Sequence, residues 1–407
     1  MIGYEAKAEV TKEQSLKVNE VLRTALFVRN SCLRFWIDGH AKTGYDLNKY
    51  TKLLADNPDL PWVKKLNSTA RQAMAERTWS AISRFFDNCK KKILGKKGFP
   101  RFRKFQIRLS VEYKQSGWTL SECRQYITFT DGFEMGKLKL RGTRDLNYYP
   151  IKQIKRVRIV RRADGIYIQF CIDHERKEEL APTGKTVGID LGLTSFYTDS
   201  DGNKVNHPRY LRKSERALKK AQRRLSRCAK KSKNRAKARI RLGRKHLQVQ
   251  RQRKDWCVKL AQCVVKSADI VTYENLQVRN MVKNHKLAKS ISDASWSIFT
   301  QWLEYFGKVY GRTIVAVPPH NTTIDCSNCG HPVQKTLSTR THVCPECGYT
   351  NCRDINAAIN ILNRGLELVK NTVGQMGISY ASGEFDPCLQ EATSTNKSSR
   401  RKRKIQQ

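Results

Sequence analysis

Three acidic residues occupy positions at which a charged side chain needs a partner. Asp190 lies inside the apolar run at 187–193 (VGIDLGL). Glu274 is the sole charge in the apolar run at 270–276 (IVTYENL), and Asp354 opens a helical pattern. A buried carboxylate is costly unless it binds a cation or a polar group. These three residues are therefore the first candidates for catalysis.

Three carboxylates brought together would repel one another and raise their pKa values unless divalent cations lay between them. Carboxylate oxygens suit Mg²⁺ or Mn²⁺, and two such ions about 3.5–4 Å apart are the usual arrangement for cutting a phosphodiester. One ion lowers the pKa of the attacking water, and the other stabilises the leaving 3′ oxygen. We therefore predict a site in which Asp190, Glu274 and Asp354 bind two catalytic Mg²⁺ ions, with Mn²⁺ as an alternative.

Each acid taken alone has a simpler interpretation. Asp190 could cap a strand end, Glu274 could pair with a lysine, and Asp354 could be a helix N-cap. The GIDLG segment at 188–192, with Thr194, also resembles the first phosphate loop of actin and Hsp70-like ATPases. A second phosphate loop and an adenosine loop are not found. Because those ATPases are related to the ribonuclease H-like fold, the shared loop favours the architecture more than ATP binding.

Four cysteines form two short-spaced pairs, Cys326-x2-Cys329 and Cys344-x2-Cys347, separated by fourteen residues. Two such pairs can close tetrahedrally around one Zn²⁺, and four thiolates leave no open position for catalysis. A redox CxxC pair is the alternative, but two pairs at zinc-finger spacing disfavour it. We predict one structural zinc per chain. The other nine cysteines are interpreted as mostly buried small hydrophobic residues: Cys32, Cys89, Cys123, Cys171, Cys228, Cys257, Cys263, Cys352 and Cys388.

The charge of the chain indicates a polyanionic partner. Its 407 residues carry 79 Lys and Arg against 36 Asp and Glu, a formal net charge of +43. Solvated surfaces normally mix both signs, so nucleic acid is the simplest partner for this excess. No run approaches the roughly 18 to 20 apolar residues of a membrane span, and the start MIGYEAKAEV lacks a signal-peptide core. An intracellular, reducing compartment and no membrane partner are expected.

Two basic segments are candidates for contact with nucleic acid. Residues 209–254 carry 21 Lys or Arg and one acid, Glu215, on a sparse apolar stripe typical of an antiparallel helical pair. Because its cations lack the glutamates that a solvated helix supplies at i,i+4, a phosphate-tracking face is favoured. The segment at 95–105 (GKKGFPRFRKF) alternates cations with rings, as binders of single strands do. The candidate binding residues are Arg101, Arg103, Lys219, Lys220, Arg223, Arg224 and Arg227.

The elements that position these residues change character along the chain. A short strand precedes helices at about 11–95, for which Thr11 and Ser68 are candidate caps, and residues 107–177 read as short strands. After a linker at 181–186, apolar strands alternate with helices, including one at 256–265 and one capped by Ser292 and Asp293. This order predicts a multi-domain α+β/α protein. Residues 376–407 have the composition of a disordered basic tail.

These motifs together resemble the TnpB family of transposon-encoded proteins, relatives of the type V CRISPR effector nucleases. The resemblance covers nearly everything from about residue 60 to 365. Its anchors are GIDLG at 188–192, RALKKAQRRLSR at 216–227, YENL at 273–276, SISDASW at 290–296, the four cysteines, RDINAAINI at 353–361, and GFPRFR at 98–103.

The resemblance implies an RNA-guided DNA endonuclease encoded by a transposable element. Asp190, Glu274 and Asp354 match the RuvC acids of the family, and Arg353 is placed to orient the scissile phosphate. The implied partners are a guide RNA derived from the transposon end and double-stranded target DNA. A monomer is expected, in the prokaryotic cytoplasm and held at the nucleoid by DNA binding. The alternatives are a nuclease-inactive RNA-guided DNA-binding regulator, which would be expected to lack one of the acids, and a DNA transposase.

The resemblance also implies a domain organisation. An N-terminal β-barrel at 1–180 carries a helical recognition insertion at about 11–95. A split ribonuclease H-like (RuvC) α/β nuclease domain spans 184–319 and 350–375, includes the basic helical pair at 209–254, and contains an inserted zinc ribbon at 320–349. The sequence departs from the family pattern at Cys352, where Asp is common, and at 321–325 (NTTID), where a Ser-Gln pair is expected.

Overall fold

The computed structural model describes residues 1–91, 97–105, 109–142, 145–336 and 338–375, with the side chains of 372–375 left out. The predicted tail and the first two residues of the aromatic and basic segment lie outside this part of the chain. Two compact units are present. The first comprises Met1–Arg176 and Lys213–Arg251, and the second comprises Lys177–Arg212 and the chain from Gln252 onward.

The first unit is built on a nearly closed barrel sheet of seven antiparallel strands in the order β2-β6-β7-β1-β5-β4-β3. Strand β7 pairs on both sides, with β1 and β6. Its alternate residues Ile166, Ile168, Phe170 and Ile172 are buried in the core, as period-two patterning requires. The strands are β1 (Ile2–Glu9), β2 (Leu109–Tyr113), β3 (Trp118–Leu120), β4 (Tyr126–Phe129), β5 (Leu138–Arg141), β6 (Ile154–Arg162) and β7 (Gly165–Ile172).

Between β1 and β2 the described residues form the helices α1 (Lys12–Ile37), α2 (Gly44–Asp56), α3 (Pro61–Lys64) and α4 (Ser68–Lys90). The predicted cap of α1 is confirmed, because the Thr11 side chain accepts a hydrogen bond from the backbone N–H of Gln14 in a capping box. The predicted cap of α4 is wrong by one residue. Asn67 rather than Ser68 accepts from the N–H of Thr69, so Ser68 is already the first helical residue.

The basic segment forms two helices, α5 (Tyr210–Arg227) and α6 (Lys233–Ser267). A separate helix at 256–265 was predicted, but α6 runs through it without a break. The prediction grouped this pair with the nuclease domain, whereas residues 213–251 belong to the first compact unit. There Arg251 forms an ion pair with Asp164 at 2.7 Å, and the Arg244 guanidinium donates to the carbonyl of Ala163.

The second unit contains a five-stranded sheet in the order β10-β9-β8-β11-β12. The strands are β8 (Thr186–Leu191), β9 (Tyr197–Asp199), β10 (Lys204–Val205), β11 (Ile270–Glu274) and β12 (Thr313–Val317). Strands β8, β11 and β12 are parallel, while β9 and β10 extend the sheet antiparallel beyond β8. The central strand β11 is buried at all but its first residue, which explains its apolar sequence.

Besides the start of α5 and the end of α6, the second unit contains α7 (Val278–Met281), α8 (Ala288–Ala294), α9 (Trp296–Tyr310) and α10 (Arg353–Gln375). The predicted cap of α9 by Ser292 and Asp293 is wrong, because α9 begins after Ser295, which has φ of 62° and forms no side-chain cap. Asp293 instead accepts from the first N–H groups of α5, at Leu211 and Arg212, and pairs with Arg253 at 2.9 Å. The Asp293 carboxylate thus accepts hydrogen bonds from two backbone N–H groups and from the Arg253 guanidinium.

Most isolated cysteines are less buried than predicted. Among the eight that the structure describes, only Cys32 and Cys257 are buried, while Cys123 and Cys263 are exposed. A cysteine next to apolar residues in sequence can still face solvent when it lies in a turn or on the outer side of a helix. None of the described helices combines the length and apolarity that crossing a membrane requires.

Candidate carboxylate site and four-cysteine cluster

Adjacent parallel strands place two of the predicted acids side by side. The register pairs Tyr273 of β11 with Ile189 of β8, so the next residues along the two strands are Glu274 and Asp190. Carboxyl ends of parallel strands meet at one edge of a sheet, where functional groups of such folds gather. Glu274 is buried, with 7% of its surface exposed, and Asp190 is half-buried.

Helix α10 brings the third acid to the same edge by packing unusually close to the sheet. A Cβ on Gly188 of β8 would lie 2.1 Å from the carbonyl oxygen of Ala358 on α10. A Cβ on Gly365 of α10 would lie 2.1 Å from the methyl group of Thr272 on β11. Both positions therefore require glycine. The approach of Gly188 to Ala358, four residues after Asp354, holds the N-terminal end of α10 against the sheet.

The charges of the two other acids act on Asp190. Burial, followed by the charges of Glu274 and then Asp354, raises the pKa of Asp190 to about 8, while Arg353 acts in the opposite direction. Asp190 therefore lies within electrostatic reach of both Glu274 and Asp354, while a shared metal site for the three acids stays a prediction. Their oxygens do not all lie within 4.8 Å of one another, since the cysteine cluster alone meets that criterion in the described part of the chain.

Arg353 holds Asp354. Its Nε and one terminal nitrogen lie 3.1 and 3.0 Å from Oδ1 of Asp354, and the other terminal nitrogen donates to the carbonyl of Thr339 at 3.0 Å. Asp354 therefore has the charged partner that its position requires. Contact between Arg353 and a scissile phosphate stays a prediction.

Glu274 has a partner that the sequence analysis missed. The hydroxyl of Thr322 donates a hydrogen bond to Oε1 of Glu274. Burial raises the pKa of Glu274, whereas the Thr322 hydrogen bond and the positive charge of Arg364 lower it. Thr322 lies in the segment at 321–325, where the sequence departs from the family pattern. The sequence analysis noted that departure but assigned no function to Thr322.

Two asparagines on one face of α10, four residues apart, tie this segment to the helix. The side chain of Asn356 accepts from the N–H of Ser327 at 2.9 Å and donates to the carbonyl of Asp325 at 2.8 Å. The side chain of Asn360 donates to the carbonyls of Thr322 and Asp325, at 2.9 and 2.7 Å. We call these contacts the asparagine clasp. It fixes the segment that carries Thr322 and enters the first cysteine pair.

The four predicted cysteines form one cluster whose sulfur atoms all lie within 4.8 Å of one another. Sulfur–sulfur distances are 3.7 Å for Cys326 and Cys347 and 3.5 Å for Cys329 and Cys344. Zinc–sulfur bonds of about 2.3 Å in a tetrahedron separate the sulfurs by about 3.8 Å. The cluster therefore fits a structural zinc site. A short antiparallel pair, β13 (Thr341–Val343) and β14 (Thr350–Cys352), flanks it.

The predicted nucleic-acid-binding residues are all exposed. On α5, Lys219 pairs with Glu215 at 2.9 Å, so this cation does have the i,i+4 partner that the segment otherwise lacks. The remaining candidates are Lys220, Arg223, Arg224 and Arg227 on α5 and Arg101 and Arg103 in the segment after α4.

Two family models and several named relatives match this chain. Residues 169–285 match the OrfB_IS605 family model, described as "Probable transposase", and residues 296–361 match the Cas12f1-like TNB domain. A Streptomyces pristinaespiralis protein named "Putative RNA-guided DNA endonuclease" is 30% identical over 370 residues, covering 88% of this chain and 87% of the relative. The InsQ protein of Escherichia coli K12, of the same description, is 28% identical over 331 residues, covering 77% and 76%.

A solved structure shares the fold at low identity. The protein in a cryo-EM structure of a Cas12f1–sgRNA–target DNA complex is 16% identical, with a TM-score of 0.51, and the match covers 87% of this chain and 83% of that one. Sequence identity over most of both chains, rather than this shared fold, decides the family. With its motifs and its relatives in agreement, the chain belongs to the TnpB family.

Proposed function

We propose that this protein is an RNA-guided DNA endonuclease that cuts target DNA by metal-dependent phosphodiester hydrolysis. The observation that carries the proposal is the meeting of Asp190, Glu274 and Asp354 at one edge of the sheet, with the pKa of Asp190 raised to about 8. A protein gains nothing in stability from grouping three acids in this way. The arrangement makes sense when cations are bound there during the reaction.

The sheet supports assignment of the second unit to the ribonuclease H-like, RuvC class. Counted along the chain within this unit, its strands have the order 3-2-1-4-5, with the antiparallel part on one side of the first strand. The acids stand on the first and fourth of these strands and on the helix that follows the four-cysteine segment. The cluster is then a structural zinc ribbon inserted before the last acid.

Asp190, Glu274 and Asp354 offer only carboxylate oxygens, the donors that Mg²⁺ and Mn²⁺ prefer. Two Mg²⁺ ions held there would supply an activated water and a charge partner for the leaving 3′ oxygen. The chain's own residues prepare the site: Thr322 orients Glu274 through its hydrogen bond, and Arg353 orients Asp354. Burial of Glu274 keeps competing water away from its carboxylate.

The proposed partners are a guide RNA from the transposon end and double-stranded DNA. The relatives' names and the sgRNA and target DNA of the Cas12f1 complex support this assignment. The net charge of +43 and the exposed cations of α5 supply the electrostatic attraction that phosphate backbones require. Binding to DNA would hold the protein at the nucleoid of a prokaryotic cell.

Cleavage by the purified protein tests the proposal directly. Protein purified with its bound RNA is expected to cut a plasmid that matches the sequenced guide in Mg²⁺, and to leave uncut a plasmid with a scrambled target. Chelation of Mg²⁺ should stop the reaction, and readdition should restore it. Cutting that ignores the guide would contradict RNA guidance, and joined transposon–target products would indicate strand transfer instead.

Replacing Thr322 by valine is expected to reduce cleavage at pH 7 about tenfold, the effect of losing one hydrogen bond to a charged group. Without this donor the pKa of Glu274 rises further, so the carboxylate forms only at higher pH. The pH of half-maximal cleavage should therefore shift upward, with a larger Mg²⁺ requirement. Thr322→Ser keeps the hydroxyl and is the matched control. Equal pH profiles for the valine and serine variants would show that Thr322 does not position Glu274.

A further inference from the structure

A cavity of about 80 Å³ in the first unit gathers three arginines around an apolar floor. Arg29 on α1, Arg77 on α4 and Arg103 in the segment after α4 line it, with Leu22 and Met74 among the apolar residues beneath. We call it the arginine pocket. A volume of this size holds several water molecules or one tetrahedral anion. The sequence analysis named Arg103 as a candidate for nucleic-acid binding but gave no role to Arg29 or Arg77.

Two of the guanidinium groups are held in place by hydrogen bonds to neutral groups. Arg29, only 7% exposed, donates to the side chain of Asn30 and to the carbonyl of Arg101, both at 2.9 Å. Arg77 donates to the carbonyl and hydroxyl oxygens of Ser110, at 3.2 and 3.1 Å. Each guanidinium has five N–H donors, so these bonds orient Arg29 and Arg77 and leave donors for a ligand.

Arg103 is positioned through its backbone. The side chain of Asn30 accepts from the N–H of Arg103 at 3.0 Å and donates to its carbonyl at 2.9 Å. This pair of bonds fixes the chain against α1, while the Arg103 guanidinium makes no hydrogen bond among the described residues. Its neighbours Phe102 and Phe105 are exposed, and the guanidinium of Arg23 stacks on Phe105 at 4.8 Å.

The arginine pocket has no ion-paired carboxylate in the described part of the chain, although Glu112 acts on Arg77 from a greater distance. Among the described residues, no carboxylate oxygen lies within 4.0 Å of a nitrogen of Arg29, Arg77 or Arg103. The nearby acid Glu112 is already engaged by two other arginines, Arg156 at 2.7 Å and Arg158. Burial, then Arg103 and then Arg77, lower the pKa of Arg29 to about 10, so the cluster repels itself in the free protein.

We infer that the arginine pocket, formed by Arg29, Arg77 and Arg103, binds one phosphodiester group of a nucleic-acid strand. A phosphate supplies the missing negative charge and accepts several charge-assisted hydrogen bonds from planar guanidinium groups. The adjacent rings of Phe102 and Phe105 are exposed where the neighbouring sugar or base would stack. The inference rests on the proposed function, because it assumes a nucleic-acid partner, and it identifies where the first unit holds that partner.

The test compares Arg77→Gln, Arg103→Gln and the double variant with Arg34→Gln. Arg34 lies on α1 outside the pocket and is paired with Asp38 at 2.9 Å, so its replacement removes the same charge from the same unit. Binding of the full-length chain to the guide RNA and, separately, to a DNA duplex is measured over a range of salt concentrations. Thermal unfolding in increasing inorganic phosphate provides a measurement that needs no nucleic acid.

Each single pocket variant is expected to weaken binding about tenfold. In the double variant the slope of log affinity against log salt falls by about one unit, as loss of one phosphate contact requires. Because both arginines share that phosphate, the double variant should lose less than the product of the two single losses. Loss confined to the RNA arm assigns the phosphate to RNA, and loss confined to the DNA arm assigns it to DNA.

Failure of the pocket is distinguishable from failure of the proposed function. If the pocket variants keep the parent's affinity and salt slope for both RNA and DNA, and the parent binds normally, the phosphate-binding role of the arginine pocket is contradicted while the proposed function is not. A parent protein that binds neither RNA nor DNA contradicts the proposed function, and the phosphate titration then decides the pocket. Inorganic phosphate should raise the unfolding temperature of the parent and of Arg34→Gln more than that of the double variant. Equal stabilisation of all three proteins overturns the inference.

Discussion

Replacing Asp190 by asparagine is expected to reduce DNA cleavage by about 10³-fold or more while leaving RNA binding within about twofold of the parent. Asparagine has the shape of the protonated acid but lacks the charge that holds a divalent cation. Loss of metal-assisted stabilisation amounts to several kcal/mol of the reaction barrier, and each 1.4 kcal/mol is about a factor of ten. The guide RNA is expected to bind through exposed cations elsewhere in the chain, so its affinity should not follow the activity.

The same substitution is expected to stabilise the protein at pH 8 in the absence of divalent cations. The pKa of Asp190 is raised to about 8, so the folded protein keeps a proton that the unfolded chain loses near pH 4. The contribution of Asp190 to the free energy of unfolding is therefore fully present below pH 4 and decreases as the pH rises toward 8. The asparagine side chain has no proton to lose over this range. The unfolding temperature of Asp190→Asn should exceed that of the parent at pH 8 by several degrees, and Mg²⁺ should close the gap by stabilising the parent alone.

Asp201→Asn is the matched control, because Asp201 is an exposed acid in the turn between β9 and β10 of the same sheet. It should keep full cleavage and show the parent's dependence of stability on pH. Cleavage retained by Asp190→Asn would contradict the catalytic assignment. Equal unfolding temperatures of Asp190→Asn and the parent at every pH would instead show that the three carboxylates do not interact strongly in the folded protein.

The acids and the cysteines were predictable because each group is unusual in its local sequence. A carboxylate inside an apolar strand, such as Asp190 or Glu274, is unfavourable unless it has a function, and local sequence shows the conflict without any alignment. Cysteine pairs at zinc-ligand spacing are similarly specific, since a tetrahedral site restricts the spacing within each pair. The structure gathers the four cysteines into one cluster, as predicted, and places Asp190 within electrostatic reach of Glu274 and Asp354.

Residues that support the site were not predictable from local sequence. Thr322 and Asn360 are ordinary polar residues whose partners lie 48 and 38 positions away in the chain. Gly188 was interpreted through the phosphate-loop pattern GIDLG, yet the structure shows that it is required because α10 passes over it. Asp293 was assigned to the helix that follows it, while its actual partners come from α5 and α6. Long-range partners of this kind leave no periodic signal in sequence.

Loss of the metal from the four-cysteine cluster is expected to abolish cleavage, although the four cysteines supply no catalytic group. We expect about one zinc per chain, and Cys344→Ser should release it. Structural zinc contributes about 10–16 kcal/mol in isolated zinc-finger peptides at pH 7, far more than a small ribbon with a two-stranded sheet can replace. Cys344 is buried, so the variant should lose soluble folding of the ribbon. Cys263→Ser, at an exposed thiol on α6, is the control and should keep zinc and activity.

The asparagine clasp explains why loss of zinc should disturb the positions of Glu274 and Asp354. Ser327 lies inside the first cysteine pair, and its N–H bonds to Asn356, two residues after Asp354. The clasp also fixes the segment that presents Thr322 to Glu274. Asn356→Ala should therefore retain zinc but reduce cleavage about tenfold, the effect expected when buried hydrogen bonds are lost. Full activity of Asn356→Ala, or of zinc-free protein in excess Mg²⁺, would show that the ribbon and the carboxylate site are independent.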